Sequence, residues 1–291
     1  MESEKIYILV VNPIAGGVDK TELISSTENF AAERGIKLIS YETTGDNDEH
    51  KIHQLYRELR PERILVAGGD GTIKMVAEAL IHEKVVFGIL PAGSANGLAV
   101  DLNFPTDISE HLAIAFGDNH TEIDMVCIND KKSLHLSDIG LNAELIKNYE
   151  NGTIRGKLGY AIQSFTTLKD QETPFTATIK VNDLIVEADA KMVVIANSNR
   201  YGTGVTINPF GKLDDGKFEI IILKNLDLML FGKIITGNMP LHSEDIDIIS
   251  AESAVITTNI PVHFQIDGEY YGEVTKLDIQ ILHKQMSIAV P

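Results

Sequence analysis

The sequence predicts an α/β domain built on a doubly wound parallel sheet, followed by an all-β domain that forms an antiparallel β-sandwich. Up to about residue 120, apolar strand-like runs alternate with helix-like stretches. This alternation with short connections is typical of a parallel sheet with helices on both faces. Farther along, the apolar runs are short and separated by turn dipeptides, which is typical of antiparallel sheets. We place the domain boundary between residues 121 and 122, and the last strand could return to the first domain.

Four strands and four helices are predicted in the first domain. Gly35, Pro61 and Gly117 each follow a helix-like stretch, and glycine or proline just beyond the last periodic residue is a helix stop signal. The predicted strands cover residues 6–11, 36–41, 64–67 and 85–90, and the predicted helices cover 21–34, 49–59, 72–82 and 108–116. In such a sheet, ligands bind at the carboxyl ends of the strands.

The second domain is predicted from strand-like runs and two turn dipeptides. Asn182-Asp183 and Asp267-Gly268 lie between apolar runs and favour tight turns. The predicted strands cover residues 123–128, 175–181, 184–190, 192–196, 218–223, 254–258, 262–266, 273–282 and 286–290. Two helices are expected at residues 143–150 and 157–168. An exposed edge of this sheet could pair with a second copy and give a homodimer.

The composition argues against several classes of protein. The chain has 291 residues and a formal net charge of −17, which argues against nucleic acid as a partner because phosphate backbones recruit basic surfaces. The same charge opposes tight electrostatic binding to anionic lipid, but it leaves room for transient peripheral membrane contact through one face. Cys127 is the single cysteine, so no internal disulfide forms. The start is charged and no apolar stretch reaches about 18 residues, which predicts a cytoplasmic protein.

Three glycine-bearing turns follow three of the predicted strands. They are Asn12-Pro13-Ile14-Ala15-Gly16-Gly17, Gly68-Gly69-Asp70-Gly71-Thr72, and Pro91-Ala92-Gly93-Ser94-Ala95-Asn96-Gly97. Glycine lets backbone N–H groups approach an anion, and the N-terminus of the following helix adds a partial positive charge. The three turns therefore predict a nucleotide site at one edge of the sheet. Ser94 could touch the nucleotide and could also cap the next helix.

Other nucleotide and catalytic motifs do not fit. The second turn lacks the third glycine of GxGxxG, and the sequence contains no GxxxxGK[ST], so neither a dinucleotide site nor a P-loop is supported. There is also no GxSxG nucleophile elbow and no HxxxH spacing. Serine hydrolase chemistry and a histidine metal site are therefore not predicted.

Two turns of the second domain carry carboxylates. In Gly211-Lys212-Leu213-Asp214-Asp215-Gly216-Lys217, the aspartates are either solvated turn-formers or part of a Mg²⁺ site that includes backbone carbonyls. Asp267-Gly268-Glu269 is either a simple hairpin turn or, if it faces the nucleotide, the source of a general base. The residue pattern leaves both alternatives open.

The combination of these motifs resembles the diacylglycerol kinase catalytic-domain family, which includes bacterial soluble lipid kinases, sphingosine kinases and ceramide kinases. The shared motifs are NPxxGG, GGDGT, PxGSxNxxA, a turn of the LDDG type and a late DGE, in the expected order over essentially the whole chain. The resemblance implies an N-terminal nucleotide domain, a C-terminal β-sandwich, and ATP bound in the cleft between them.

The resemblance also implies roles for particular residues. Glu269, with Asp267 beside it, or alternatively Asp70, would accept a proton, and we favour Glu269. The contacts to ATP would come from Asn12, Pro13, Ile14, Ala15, Gly16, Thr43, Gly68, Gly69, Asp70, Gly71, Thr72, Ile73, Lys74 and Ser94. Mg²⁺ would be held by Asp215 and by the backbone carbonyls of Lys212 and Lys217. Lys74 stands where the family commonly has asparagine, which puts an extra cation near the phosphates.

The predicted function is that of an ATP- and Mg²⁺-dependent lipid kinase in lipid metabolism, which phosphorylates a lipid hydroxyl at the membrane surface. The segment Gly93-Ser94-Ala95-Asn96-Gly97-Leu98-Ala99 is closer to the sphingosine-kinase form than to the GTxND form of bacterial diacylglycerol kinases. The acceptor is therefore either diacylglycerol or a sphingoid-base-like lipid. The alternatives are a kinase for a soluble substrate, such as an NAD kinase, and a non-catalytic nucleotide- or lipid-binding regulator.

Overall fold

The computed structural model describes residues 4–141, 143, 174–199, 207–225 and 244–291. The chain divides into two compact units: the first comprises residues 1–123 and 284–291, and the second comprises residues 124–283. The helices expected at 143–150 and 157–168 lie outside the described residues, apart from Ala143. Within the described part of the chain, every helix is too short or too polar to cross a membrane.

The first unit is built on a parallel sheet, as predicted. Its strands are β1 (Ile6–Val11), β2 (Lys37–Glu42), β3 (Arg63–Gly68) and β4 (Val86–Pro91), in the order β2-β1-β3-β4. All these pairings are parallel, so the carboxyl ends of the strands meet at one edge. A strand from the end of the sequence adds in parallel beside β4, with Ser287 opposite Val86 and Ile288 opposite Phe87.

Helices connect these strands and cover the sheet. They are α1 (Thr21–Glu33), α2 (Asp48–Leu59), α3 (Asp70–Ala79), α4 (Gly97–Asp101) and α5 (Ile108–Ala115), and a 3₁₀ turn spans Ala15–Gly17. Gly35 follows α1 with a φ of 65°, as expected for a glycine that ends a helix. Leu23 of α1 and Leu112 of α5 pack on the sheet face that carries Leu9 and Leu65. Helix α4 was not predicted because five residues are too few to show a helical period.

The second unit is an antiparallel β-sandwich region. Its strands are β5 (His120–Ile128), which begins in the first unit, β6 (Lys131–Ser133), β7 (Leu136–Gly140), β8 (Phe175–Val181), β9 (Leu184–Ala190), β10 (Met192–Ala196), β11 (Phe218–Leu223), β12 (Ile246–Ala251), β13 (Ser253–Ile266) and β14 (Glu269–Ala289), which ends in the first unit. The order β12-β11-β10-β7-β13 is antiparallel, and β8 and β9 extend from β13. Ile220 and Ile195 belong to one buried cluster, whereas Ile221 and Val194 belong to a second. Because neighbouring residues of a strand point to opposite faces, this sheet is apolar on both sides.

Both predicted turn dipeptides join strands. Asn182-Asp183 connects β8 to β9, and Asp267-Gly268 connects β13 to β14. Asp267 has a φ of 50° and Gly268 a φ of 88°, and two residues with positive φ are what a tight two-residue hairpin turn requires.

Two predicted pairs of strands are in fact continuous. Residues 254–258 and 262–266 both belong to β13, and residues 273–282 and 286–290 both fall on β14 except for the final residue. The register of β13 against β14 shifts between Thr257 and Val262. This interval contains Pro261, which has no N–H to donate to a ladder, so the sequence pattern breaks although the strand continues.

Candidate active site

Four connections leave the carboxyl edge of the sheet in the first unit. Backbone hydrogen bonds join the start of each connection to a neighbouring strand: Asn12 N–H donates to Ala67 at 3.0 Å, Thr43 N–H to Val11 at 2.8 Å, and Ala92 N–H to Gly68 at 2.9 Å. The three glycine turns and the Thr43 loop therefore begin side by side at the edge where a ligand is expected.

The glycine turns touch one another through their backbones. A Cβ added to Gly16 would lie 2.8 Å from the carbonyl oxygen of Ala92, and one added to Gly69 would lie 3.1 Å from the Cα of Gly93. Gly16 also has a φ of 64°, a backbone angle that residues other than glycine rarely adopt. The first and second turns are thus both packed against the third.

Asn12 ties the first turn to the second. Its side-chain nitrogen donates to the hydroxyl of Thr72 at 3.0 Å, and its side-chain oxygen accepts from the N–H of Ile14 at 3.2 Å. Thr72 is buried. Both side chains therefore fix the shape of the site from within the first unit.

Lys20 supports the first turn by binding its carbonyls, and it was not among the predicted site residues. Its side chain is buried, and its Nζ donates to the carbonyls of Ala15 at 2.5 Å and Val18 at 3.1 Å. A positive charge this close to the turn favours an anion bound nearby. A lysine shortly after a glycine turn is the only signal the sequence offers. Lys74, predicted as an extra cation near the phosphates, is buried within α3.

Asp70 caps a helix. Its carboxylate accepts from the N–H of Gly97 at 2.8 Å and from the N–H of Leu98 at 3.0 Å, so it provides the cap of α4. The expectation that Ser94 would cap the following helix is wrong, because α4 begins only at Gly97 and Ser94 is exposed in the turn before it.

The buried carboxylate of Asp48 orders the Thr43 loop. Asp48 accepts from the hydroxyl of Tyr41 at 2.5 Å and from the N–H of Gly45 at 2.7 Å, and it also accepts from the N–H of Thr44. Burial alone would raise the pKa of Asp48, but these hydrogen bonds outweigh it and hold the pKa below its ordinary value. Burial, together with the Asp48 carboxylate, raises the pKa of Tyr41 to about 12.

In the second unit, the 211–217 turn is held by Asp124. The carboxylate of Asp124 accepts from the N–H of Gly216 at 2.7 Å, and its own N–H donates to the carbonyl of Leu213 at 2.6 Å. Asp124 is fully buried and its second carboxylate oxygen lies 2.8 Å from His283 Nδ1. In the sequence, the signal for this role is an aspartate inside the apolar run at residues 123–128.

The predicted magnesium ligands lie on this turn. Asp215 is exposed, and its carboxylate accepts from the N–H of Lys217 at 3.1 Å. One carboxylate with the backbone carbonyls of Lys212 and Lys217 is an all-oxygen donor set, which suits Mg²⁺ completed by water. No group of three or more His, Cys, Asp or Glu side chains that could hold a metal occurs among the described residues.

In the 267–269 turn, the two acidic residues have different surroundings. The carboxylate of Asp267 accepts from the hydroxyl of Ser133 at 2.9 Å and from the N–H groups of Leu134 at 2.9 Å and His135 at 3.0 Å. Asp267 thereby anchors the segment that leads into β7. Glu269 is exposed and accepts from the hydroxyl of Tyr271 at 3.1 Å.

Asn197 connects the 211–217 turn to the 267–269 turn. Its side-chain nitrogen donates to the carbonyl of Asp124 at 3.0 Å and to the carbonyl of Leu134 at 2.9 Å, and the residue is fully buried. Asp124 holds Gly216, and Leu134 is held by Asp267. One continuous path of hydrogen bonds thus joins the two acidic turns within the second unit.

Comparison with known proteins identifies both halves of the chain. The profile of the diacylglycerol kinase catalytic domain matches residues 6–128, and that of the YegS C-terminal NAD kinase beta sandwich-like domain matches residues 138–290. The chain belongs to the diacylglycerol kinase catalytic-domain family. The family match, together with relatives that are named as lipid kinases, identifies the chain as a lipid kinase.

Named relatives cover most of the lipid kinase. A diacylglycerol kinase of Staphylococcus epidermidis is 23% identical over 291 residues, covering 97% of this chain and 90% of that protein. A protein of Salmonella typhimurium named "Probable lipid kinase YegS" is 26% identical over 246 residues, covering 81% of each chain. The crystal structure of a Bacillus anthracis diacylglycerol kinase superimposes with a TM-score of 0.78 at 21% identity, over 100% of this chain and 98% of that one, and shows the shared fold.

The predicted site residues of the kinase fall into two groups. The residues predicted to contact ATP, from Asn12 to Ser94, lie in the first unit, on the edge connections or at the start of α3. The predicted metal and proton-acceptor residues on the 211–217 and 267–269 turns lie in the second unit. Sequence reasoning missed four buried polar residues that support these groups, because none of them belongs to a local motif: Lys20, Asp48, Asp124 and Asn197.

Proposed function

We propose that this lipid kinase transfers the γ-phosphoryl group of ATP to a primary hydroxyl of its lipid acceptor. The observation that carries the proposal is the backbone contact of Gly16 with Ala92 and of Gly69 with Gly93 at the edge of the sheet. Turns packed this closely keep side chains away, so that backbone N–H groups and the start of α3 can face phosphate oxygens. The buried Lys20 adds a positive charge beneath the first turn.

Lys212, Asp215 and Lys217 are the residues that would hold Mg²⁺. A bound ion would neutralise the charge on the phosphate oxygens during transfer. The hydrogen bond from Gly216 to the buried Asp124 supports this assignment, because it fixes the backbone on which two of the three donors lie. The remaining coordination positions would be filled by water and phosphate oxygens.

Glu269 is the proposed proton acceptor. Asp70 and Asp267 are both engaged in capping backbone N–H groups, whereas Glu269 is exposed. The acceptor hydroxyl oxygen forms a bond to the γ-phosphorus while its proton passes to the Glu269 carboxylate. The bond from the γ-phosphorus to the bridging oxygen breaks, and ADP leaves with that oxygen.

The acceptor is proposed to be diacylglycerol or a sphingoid-base-like lipid, met by the cytoplasmic kinase during transient contact with a membrane. The name of the Staphylococcus epidermidis relative favours diacylglycerol. The form of the 93–99 segment favours a sphingoid base. A panel of both lipid classes with labelled ATP and Mg²⁺, followed by mass spectrometry of the organic phase, distinguishes them.

The assignment of Glu269 is tested by two matched substitutions. Glu269→Gln is expected to lower the turnover number about 10²- to 10⁴-fold, because a general base contributes that much. Glu273→Gln alters another exposed carboxylate on the same strand, 3.4 Å from His263, and is expected to leave turnover nearly unchanged.

Two results would contradict the proposal. If Glu269→Gln and Asp70→Asn both keep near-full lipid kinase turnover, the proton acceptor is assigned wrongly. If labelled phosphate from ATP appears only in water-soluble product, the acceptor is a soluble molecule of the kind that NAD kinases use.

A further inference from the structure

Phe210 presents an aromatic ring to solvent at the start of the 211–217 turn. The residue is 55% exposed, although phenylalanine is usually buried. Its N–H donates to the side-chain oxygen of Asn208 at 3.3 Å, and the next N–H, of Gly211, donates to the carbonyl of Asn208 at 3.2 Å. The ring thus projects from an ordered turn.

The turn that carries Phe210 is anchored in the core of the second unit. Asn208 is fully buried, and its side-chain nitrogen donates to Glu219 at 2.6 Å. Glu219 in turn accepts from the hydroxyl of Ser250 at 2.9 Å. A Cβ added to Gly211 would lie 2.6 Å from the carbonyl oxygen of Ser198, so the backbone after Phe210 is also tightly packed.

A single exposed apolar residue is ordinary on a protein surface, and it is the location of Phe210 that distinguishes it. Phe210 lies two residues before Lys212, at the turn proposed to bind Mg²⁺. The path of hydrogen bonds through Asp124 and Asn197 joins this turn to the turn that carries Glu269.

Among the described residues of the second unit, the other exposed large apolar side chains are Ile260, 42% exposed within β13, and the pair Leu184 and Ile185. The pair lies far from these turns. Leu184 and Ile185 are exposed at the tip of the β8–β9 hairpin, where Lys180 pairs with Val255 near the start of β13. From Val255 to Ile266, next to the 267–269 turn, β13 advances by eleven residue steps. At about 3.3 Å per residue, this corresponds to about 35 Å. A membrane touching the hairpin would therefore be far from Glu269.

Charge also favours an apolar contact. The chain carries a net charge of −17, which repels anionic lipid. After Phe210, Lys212 and Lys217 balance Asp214 and Asp215, so this loop has no net charge of its own. An aromatic side chain can enter the interfacial region of a bilayer without electrostatic attraction, as aromatic residues do in membrane proteins.

We infer that Phe210 is the point at which the second unit contacts a phospholipid bilayer, so that acceptor lipid is met beside the 211–217 turn. The inference rests on the proposed function for the role of that turn in phosphoryl transfer. The contact is weak, because one partly exposed ring provides little apolar area. A weak contact suits an enzyme that must leave the membrane again.

The absence of tryptophan from the sequence gives a direct test. Phe210→Trp introduces a single fluorescent reporter, and Ile185→Trp places the same reporter at the hairpin tip as a control. On addition of phosphatidylcholine vesicles, we expect a blue shift for Phe210→Trp, and quenching when the vesicles contain brominated acyl chains. Ile185→Trp is expected to show neither effect. No shift at position 210, or an equal shift at position 185, overturns the inference.

A second measurement connects the contact to catalysis. Phe210→Ala is expected to lower the rate on acceptor lipid presented in vesicles about tenfold, and to leave the rate on a dispersed short-chain acceptor nearly unchanged. Phe210→Leu should recover most of the vesicle rate. Equal losses on both forms of acceptor would overturn the inference. The fluorescence measurement requires no turnover, so failure of the proposed function and failure of this inference give different results.

Discussion

Asp48 illustrates how one buried carboxylate orders a loop at the sheet edge. Its hydrogen bonds from Tyr41, Thr44 and Gly45 hold the chain that follows Thr43. Because its pKa is lowered from 3.8 in the folded protein, ionised Asp48 adds stability at pH values above the unfolded pKa. That contribution is lost as the pH falls through the folded pKa.

Asp48→Asn is expected to lower the free energy of unfolding by about 1–3 kcal/mol at neutral pH, because a charged acceptor of several hydrogen bonds becomes neutral. The difference from the unsubstituted protein should shrink as the pH falls below about 4. Urea unfolding at a series of pH values measures both effects. Asp46→Asn, at an exposed neighbouring position, is the control and should show neither. A difference that stays constant into acid would contradict this account.

At the scale of an element, the glycine turns are shaped by close backbone contact. Gly16 and Gly17 have nearly the same φ, 64° and 63°, but only Gly16 would bring a Cβ against another chain segment. The two positions therefore separate the cost of a left-handed backbone from the cost of disturbing the packed turns.

Gly16→Ala and Gly17→Ala should each lose about 1–2 kcal/mol of stability from the left-handed backbone. Gly16→Ala should also raise KM for ATP about tenfold, since a Cβ there would push the first turn away from Ala92. Gly17→Ala should leave KM for ATP nearly unchanged. Thermal unfolding and steady-state kinetics provide the two measurements. If both variants shift KM alike, contact between the turns does not shape the nucleotide site.

The link through Asn197 makes a second prediction at this scale. Asn197→Ala removes the donor to two carbonyls, and should cost about 1–3 kcal/mol of stability. It should also raise several-fold the Mg²⁺ concentration needed for half-maximal rate, because the 211–217 turn loses support. Titration of the rate with Mg²⁺ measures this.

Asn129 provides the control for Asn197, since its side chain also links distant parts of the chain. It donates to the carbonyl of Lys276 and accepts from the N–H of Asp278, and so joins its own turn to β14. Asn129→Ala should lower stability without changing the dependence on Mg²⁺. Equal changes in both variants would show that the effect of Asn197 is general loss of stability rather than support of the turn.

For the molecule as a whole, the sequence predicted the features that depend on local signals. Glycine at strand ends indicated the turns, and Asp267-Gly268 indicated a hairpin because the residues that favour positive φ are few. Buried contacts between distant segments could not be predicted in this way. Lys20 looks like any surface lysine in the sequence, and nothing local to Asn197 indicates that it binds Asp124 and Leu134, which are 73 and 63 residues away.

The pairing of Ser287 and Ile288 with β4 has a consequence for biosynthesis. The parallel sheet of the first unit needs a strand that the ribosome makes only after the whole second unit has been translated. Until then the outer side of β4 has unpaired backbone groups, which are prone to wrong pairing with other chains. Truncation before residue 287 should therefore leave this edge of β4 permanently exposed. The shortened protein should aggregate although it retains all three glycine turns.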